Sequence, residues 1–240
     1  ARGRMSAGGG TASRTPRMDF AAVLASGVHD LKNSVGMLLN ALSEVAADLP
    51  PDRGDLKERF NQLQYDTMRV SGDLIQLLAI YKIDHGRYAV NIAHHDVADF
   101  LDESLLQYGP LLDRKGVSLR VECPQGLRWF FDSQLVAGVI NNIINNASRY
   151  TRDMLLVRAG SSSTELTIDI EDNGPGYPDV MVTGEHGGPS GVDFAGGSTG
   201  LGLYFATLAA EQHRNGTRRG HISIANGGEL GGGRFSLHLP

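Results

Sequence analysis

Four asparagines, Asn141, Asn142, Asn145 and Asn146, interrupt an apolar stretch of this 240-residue chain. Leu135, Val139, Ile143 and Ala147 recur every four residues around them and form one face of a helix. Asn142 and Asn146 are also four apart and share a face. Asparagine suits a helix interior poorly unless its amide has something to bind. A second candidate for chemistry is His29, followed by Asp30 and, one helical turn on, by Asn33. A neutral imidazole nitrogen is a good nucleophile near neutral pH. The adjacent carboxylate of Asp30 can accept its other proton, fixing the tautomer and stabilising the charge that develops. A third is the run Asp172, Asn173, Gly174, Pro175, Gly176 at the end of an alternating apolar segment (Leu166, Ile168, Ile170). Its two glycines let the backbone approach a ligand closely.

Each of these groups needs an element to hold it. Phe20, Leu24, Val28, Leu31, Val35, Leu38, Leu42, Val45 and Leu49 follow a heptad spacing after the first turn. Residues 50–54, rich in Pro and Gly, break that helix. A second heptad then runs through Leu56, Phe60, Leu63, Thr67, Val70, Leu74, Leu77 and Tyr81. Two such helices form an antiparallel hairpin, and each retains apolar surface, so two hairpins are expected to pair as a homodimeric four-helix bundle. His29 follows core position Val28 directly, which puts it beside the seam and partly exposed. Beyond Tyr81, alternation at Tyr88, Val90 and Ile92 predicts a strand, and residues 96–115 predict a helix ending at Gly116. Strands are expected at 117–122, 127–131, 154–159, 164–171, 220–225 and 234–239, with helices over the asparagine segment and over 199–213. Strands mixed with three helices imply an α+β sandwich with helices on one face of a mixed sheet. The expected division is 1–17 as a flexible arm, linker or cloning remnant, 18–86 as the hairpin and 87–240 as the sandwich.

Eight glycines between Gly184 and Gly202 predict a mobile lid. Gly200 and Gly202 open the helix that follows, where free backbone N–H groups can bind phosphate. The pattern is neither a Rossmann nor a Walker motif.

The asparagine helix, the Asp172–Gly176 run, the Gly200 and Gly202 box and the pattern His29, Asp30, x, x, Asn33 together resemble the sensor histidine kinases of two-component systems. The resemblance covers roughly residues 18–240. It implies a dimerisation and phosphoacceptor hairpin followed by an ATP-binding domain of Bergerat type. Periodicity alone does not say which asparagine pair faces the ligand; the family register implies Asn146 as the Mg²⁺ ligand, with Asn142 one turn earlier. Mg²⁺ favours hard oxygen ligands and keeps waters, so one amide oxygen with phosphates suits it. By the same resemblance Arg149 neutralises phosphate charge, and Tyr150 lies against the nucleotide. A carboxylate at Asp172 would accept from the adenine amino group and reject guanine, whose six-position oxygen is itself an acceptor. Related ATPases that use water carry Glu at the place of Asn142; its absence removes a base for water and favours transfer to another nucleophile. The implied reaction is phosphorylation of His29 by ATP, then transfer to an aspartate of a separate response-regulator receiver domain. Asn33 is expected to serve a phosphatase activity toward that regulator. The last glycine box, Gly231, Gly232, Gly233, Arg234 and Phe235, is expected to be structural. Two features depart from the commonest family pattern: Asp30 and Asn33 replace Glu and Thr, and no Phe-x-Pro-Phe core precedes the lid.

Composition narrows the partners. Net charge is −5 and pI near 5.9, which argues against nucleic acid. A single cysteine, Cys123, excludes an internal disulfide, suits a reducing cytoplasmic compartment and is expected to be buried and inert. No apolar run approaches the ~18–20 residues that cross a bilayer, so no membrane contact is expected. Two other functions remain open from the sequence: a nucleotide-binding scaffold or pseudokinase that controls a regulator by binding, and a serine/threonine kinase on the same ATP fold.

Overall fold

The computed structural model describes residues 20–47, 54–183 and 201–240. The arm at 1–17, most of the break at 50–54 and most of the glycine lid, Gly200 included, lie outside the described residues, as does the side chain of His29.

Two long helices open the chain, α1 (Phe20–Ala47) and α2 (Gly54–Asp84), and pack along each other as a hairpin. Gln64 Nε2 donates to Ser43 Oγ at 2.8 Å across them. Among the described residues no helix is long and apolar enough to cross a membrane. The hairpin leads into β1 (Ala93–Asp96), α3 (Val97–Leu106), α4 (Gly109–Lys115), β2 (Ser118–Glu122) and β3 (Arg128–Phe131). The asparagine helix α5 (Ser133–Tyr150) precedes β4 (Met154–Ser161), β5 (Leu166–Asp172) and the short α6 (Asp179–Val182). After the lid come α7 (Leu201–Glu211), a small ribbon of β6 (Arg214–Asn215) and β7 (Arg218–Arg219), and then β8 (His221–Asn226) and β9 (Gly233–Leu239).

The main sheet has the order β2-β4-β5-β9-β8, parallel between β2 and β4 and antiparallel elsewhere. Strand alternation sorts its faces. Leu155, Val157 and Ala159 of β4, Leu166, Ile168 and Ile170 of β5, and Phe235, Leu237 and Leu239 of β9 are buried in one core. Leu135, Val139, Ile140, Ile143 and Ile144 of α5 and Phe205, Ala206 and Ala209 of α7 belong to the same core. Each fully buried Leu or Ile contributes roughly 1.5–3 kcal/mol, which fixes α5 against the sheet. The architecture is the expected one, a helical hairpin followed by an α+β sandwich with a mixed sheet.

Three local expectations fail. Residues 88–92 form no strand; the strand here is Ala93–Asp96, paired antiparallel with β3. The preceding segment is drawn to the start of α5 instead: Asn91 N and Tyr88 Oη donate to Asp132 Oδ2 at 2.8 and 3.4 Å. Burial, then the Asp132 charge, pushes the Tyr88 phenol up to about 12. The single helix expected over 96–115 is two helices, because Pro110 in the first turn of α4 has no N–H to continue α3. Gly116 closes α4 in the left-handed region, φ 65°. Cys123 is half-buried rather than buried, and burial raises its thiol pKa.

Candidate functional site

Asp132 starts the helix that carries the asparagines. Its Oδ1 accepts from Gln134 N and Leu135 N at 3.0 and 3.1 Å, an N-cap that satisfies two otherwise free donors. The amide of Asp132 itself donates to Nε2 of buried His213 at 3.0 Å, and His213 Nδ1 is 2.9 Å from Ala209 O. His213 is therefore neutral with its proton on Nδ1, and burial lowers its pKa. This residue ties the end of α7 to the start of α5. Its place after the last turn of α7 carries no recognisable sequence signal.

The four asparagines divide between two roles. Asn141 and Asn145 face neighbouring helices. Gln107 Nε2 donates to Asn141 Oδ1 at 3.1 Å, and Tyr65 Oη of α2 donates to Asn145 Oδ1 at 3.3 Å. Asn142 is buried, and Asn146 Nδ2 donates to its Oδ1 at 3.2 Å. The Asn142 Nδ2 is buried with no hydrogen-bond partner among the described residues. A side chain at Gly202 would collide with that amide, so glycine there keeps the first turn of α7 against the pair. Leaving a buried amide donor unpaired costs ~1–3 kcal/mol, and such a cost points to a ligand. Arg149 and Tyr150, at the end of α5, are exposed.

Tyr150 links the asparagines to the second motif. A Cβ at Gly174 would strike its carbonyl oxygen, and would lie 2.9 Å from Asp172 Oδ1. Asp172 is buried at the end of β5. Its Oδ1 accepts from Gly174 N at 2.7 Å and Gly233 N at 3.3 Å, while no described residue donates to its Oδ2. The carboxylate is held by backbone and keeps one oxygen for another donor. Gly232 N bonds Asp172 O at 3.1 Å, and a Cβ at Gly232 would meet both Asp172 and Gly174. The last glycine box thus forms a wall of this site, beyond the structural role expected for it. Tyr177 closes another side; its phenol pKa is raised by burial and then by Asp172. Gly176 adopts φ 83°, and a side chain there would press on Asn226, whose Oδ1 accepts from Tyr177 N at 2.6 Å.

Asn173, read from sequence only as part of a run, organises the turn from α5 to β4. Its Oδ1 accepts from Thr151 Oγ1 and from the amides of Arg152, Asp153 and Met154, at 2.9–3.2 Å. The described part of the site is therefore continuous from Gly202 through Asn142, Asn146 and Tyr150 to Gly174, Asp172 and Gly233. Asp30 and Asn33 are exposed on α1, on a different element.

A nucleotide and its divalent cation fit these residues on two grounds. The Asn142–Asn146 pair holds an orphaned buried donor, and Asn146 commits its Nδ2 to Asn142 while its Oδ1 meets no described donor.

Residues 131–240 match the histidine kinase-, DNA gyrase B-, and HSP90-like ATPase family. Over 219 residues the chain is 24% identical to sensor protein SrrB of Staphylococcus aureus strain N315, covering 88% of this chain and 36% of SrrB. It spans about a third of the length of the curated relatives it matches. In fold it is similar to the Acinetobacter baumannii histidine kinase AdeS, with TM-score 0.57 at 18% identity, over 88% of this chain and 96% of that one. It is also similar to full-length ShkA in complex with AMPPNP, with TM-score 0.61 at 17% identity, over 92% and 46%. The chain is thus similar to two-component sensor histidine kinases, and the match to the ATPase family lies in residues 131–240.

Proposed function

We propose that this chain is the ATP-dependent kinase part of a two-component sensor. It phosphorylates His29 and passes the phosphoryl group to an aspartate of a separate response-regulator receiver domain. The observation that carries the reading is the continuous site: an orphaned amide against glycine at one end, a backbone-held carboxylate with a spare oxygen at the other.

Asp172 Oδ2 accepts from the adenine amino group, and Gly174, Gly232 and Gly233 allow the base to approach. Asn142 and Asn146 face the phosphates with the first turn of α7, whose backbone N–H groups favour anions. Mg²⁺, when bound through the Asn146 oxygen, neutralises phosphate charge. Arg149 adds positive charge at the end of α5, Tyr150 lies against the nucleotide, and Gly200 and Gly202 belong to the phosphate side. An amide at position 142 cannot take a proton from water, which favours the imidazole of His29 as nucleophile. Asp30 would hold the other imidazole proton.

The exposed apolar residues of α1 and α2, such as Met37, Leu38 and Leu63, support a homodimer through the hairpin. The hairpin at 18–86 and the ATP-binding unit at 87–240 then divide acceptor from donor. ATP and a receiver domain as partners place the reaction in the cytoplasm.

The test is incubation with Mg²⁺ and γ-labelled ATP. Acid-labile label on the wild type, lost in His29→Gln with nucleotide binding intact, is the expected result. Absence of label would favour a binding scaffold, and acid-stable label a serine/threonine kinase.

A further inference from the structure

Away from the candidate nucleotide site, the polar face of the sheet gathers a second set of groups. The β-ladders set His238 on β9 directly opposite Thr167 on β5 and His221 on β8. Glu165 stands just before β5. One potential ligand atom from each of Glu165, His221 and His238 lies within 4.8 Å of the others. Nδ1 of His238 is 3.0 Å from Glu165 Oε1, and its Nε2 is 3.2 Å from Ser223 Oγ. The two imidazoles stack with centroids 4.3 Å apart and planes 3° from parallel.

We propose that Glu165, His221 and His238 bind one divalent transition-metal ion of the zinc type, with water completing the coordination. Two imidazole nitrogens and one carboxylate oxygen suit zinc, whereas Mg²⁺ and Ca²⁺ take oxygen ligands. Ligands at ~2.0–2.1 Å around a tetrahedral ion stand about 3.3 Å from each other, and the Glu165–His238 contact is already close to that spacing. Nδ1–H of His238 donates to the Glu165 carboxylate. On metal binding that proton moves through solvent to Nε2, which donates it to Ser223 Oγ as an outer partner and leaves the Nδ1 lone pair for the ion. Thr167 Oγ1, 3.5 Å from the same Nδ1, flanks the site.

His221 must move. A metal lies in the plane of each imidazole it binds, and two parallel stacked rings share no such point. His221 is exposed on the edge strand β8, and no described residue hydrogen-bonds its ring nitrogens, so a turn about its side-chain bonds meets little resistance. The ion then staples β8 to β9 and to the start of β5. His238 is five residues from Gly233 along β9, roughly 17 Å at the rise of a strand. The site is therefore remote from Asp172 and independent of phosphoryl transfer.

The experiment is titration of chelator-treated protein with Zn²⁺ alone against a chromophoric competitor, and with Co²⁺ read by absorption. The expected result is one equivalent bound with the intense visible bands of tetrahedral cobalt. Losing even an outer partner typically costs 10–100-fold in affinity, so His221→Ala and Glu165→Gln should each cost at least about tenfold. His94→Ala, on β1, should leave binding unchanged. Glu165→Gln conserves shape, and the melting temperature of each metal-free variant verifies its fold. Failure of the wild type to bind zinc would overturn the proposal. So would full binding in both His221→Ala and Glu165→Gln, which would place the ion elsewhere.

Discussion

In β4, Leu155, Leu156 and Val157 in succession are fully covered, whereas on α1 Met37 is 66% and Leu38 50% exposed. The contrast extends along both units. The sandwich closes a core with helices on one side and even covers Leu156 on the other, beneath a lattice of Arg120, Glu122, Arg158 and Glu229. Among its described side chains the hairpin buries little within one chain, because two helices can each cover only one side of the other. α2 shows the transition within a single element. Leu63 is 52% exposed, while Gln76, Ala79 and Ile80, near its end, are buried, with Ala79 and Ile80 joining the sandwich core. Tyr65 bonding Asn145 and Arg114 Nη2 donating to Gln62 Oε1 at 3.0 Å continue that junction upward. The difference teaches where each unit finds its stability: the sandwich in its own core and the hairpin, on the proposed reading, in a partner.

The sharpest way to break this comparison is to charge the uncovered stripe. Met37→Glu with Leu38→Glu removes two apolar side chains per protomer, each contributing ~1.5–3 kcal/mol when buried. Dimer dissociation should rise by more than about 100-fold, measured by sedimentation equilibrium. The melting of the sandwich should stay unchanged. A dimer of unaltered stability would show that the stripe is not the interface.

Within the sandwich, the self-contained site is tested by Asp172→Asn. An amide there presents a donor where the adenine amino group needs an acceptor. Loss of a hydrogen bond to a charged group, ~1.5–3 kcal/mol, predicts a roughly 10–150-fold weaker nucleotide affinity by calorimetry. Unchanged affinity would remove Asp172 from the base pocket.

The His213 clamp probes how the sandwich holds its two helices. His213→Ala leaves the Asp132 amide without its acceptor and opens space, at a cost of ~1–3 kcal/mol of stability. The pH dependence has a definite sign. Burial lowers the folded pKa, so the unfolded chain binds more protons as pH falls below the ordinary value of about 6.5. Stability is full above that pH and declines as pH drops toward the lower folded pKa. In thermal melts, the wild type should lose stability through this window and His213→Ala should lose less. Parallel curves for the two proteins would exclude His213 as the titrating group.

Sequence periodicity was a good guide where burial is one-sided. The heptads gave both long helices, and the four-residue spacing of Leu135, Val139, Ile143 and Ala147 gave α5 and its buried face. Long-range polar contacts were invisible to it. Nothing local marks His213 as the partner of Asp132, 81 positions away in sequence. The glycine wall at Gly232 and Gly233 reads as a turn until β9 pairs with β5 and brings it to Asp172. Asp132 likewise pulls Asn91 and Tyr88 out of the strand that their alternation suggested. Among the motif residues, Asn142, Asn146, Gly202, Asp172 and Gly174 do come together. Asp30 and Asn33 stand on the hairpin, so the proposed transfer to His29 would depend on movement or on a second protomer.

The finest test addresses the chemistry proposed for the hairpin through Asn33. It lies one helical turn beyond His29 on α1 and is exposed, so its substitution should alter stability by no more than about 0.5 kcal/mol. An asparagine amide both donates and accepts, and can orient a water against a phospho-aspartate of the regulator. Asn33→Ala should therefore keep most labelling of His29 while slowing regulator dephosphorylation. One neutral hydrogen bond, ~0.5–1.5 kcal/mol, corresponds to a two- to roughly tenfold slower decay. The measurement is the decay of purified phospho-regulator with ADP and either wild-type or variant protein. Equal rates would leave Asn33 as a solvated position on the helix, and no acceleration by the wild type would remove the phosphatase activity itself. A slower decay with normal labelling would separate the two activities on one helical turn, with His29 serving transfer and Asn33 serving water.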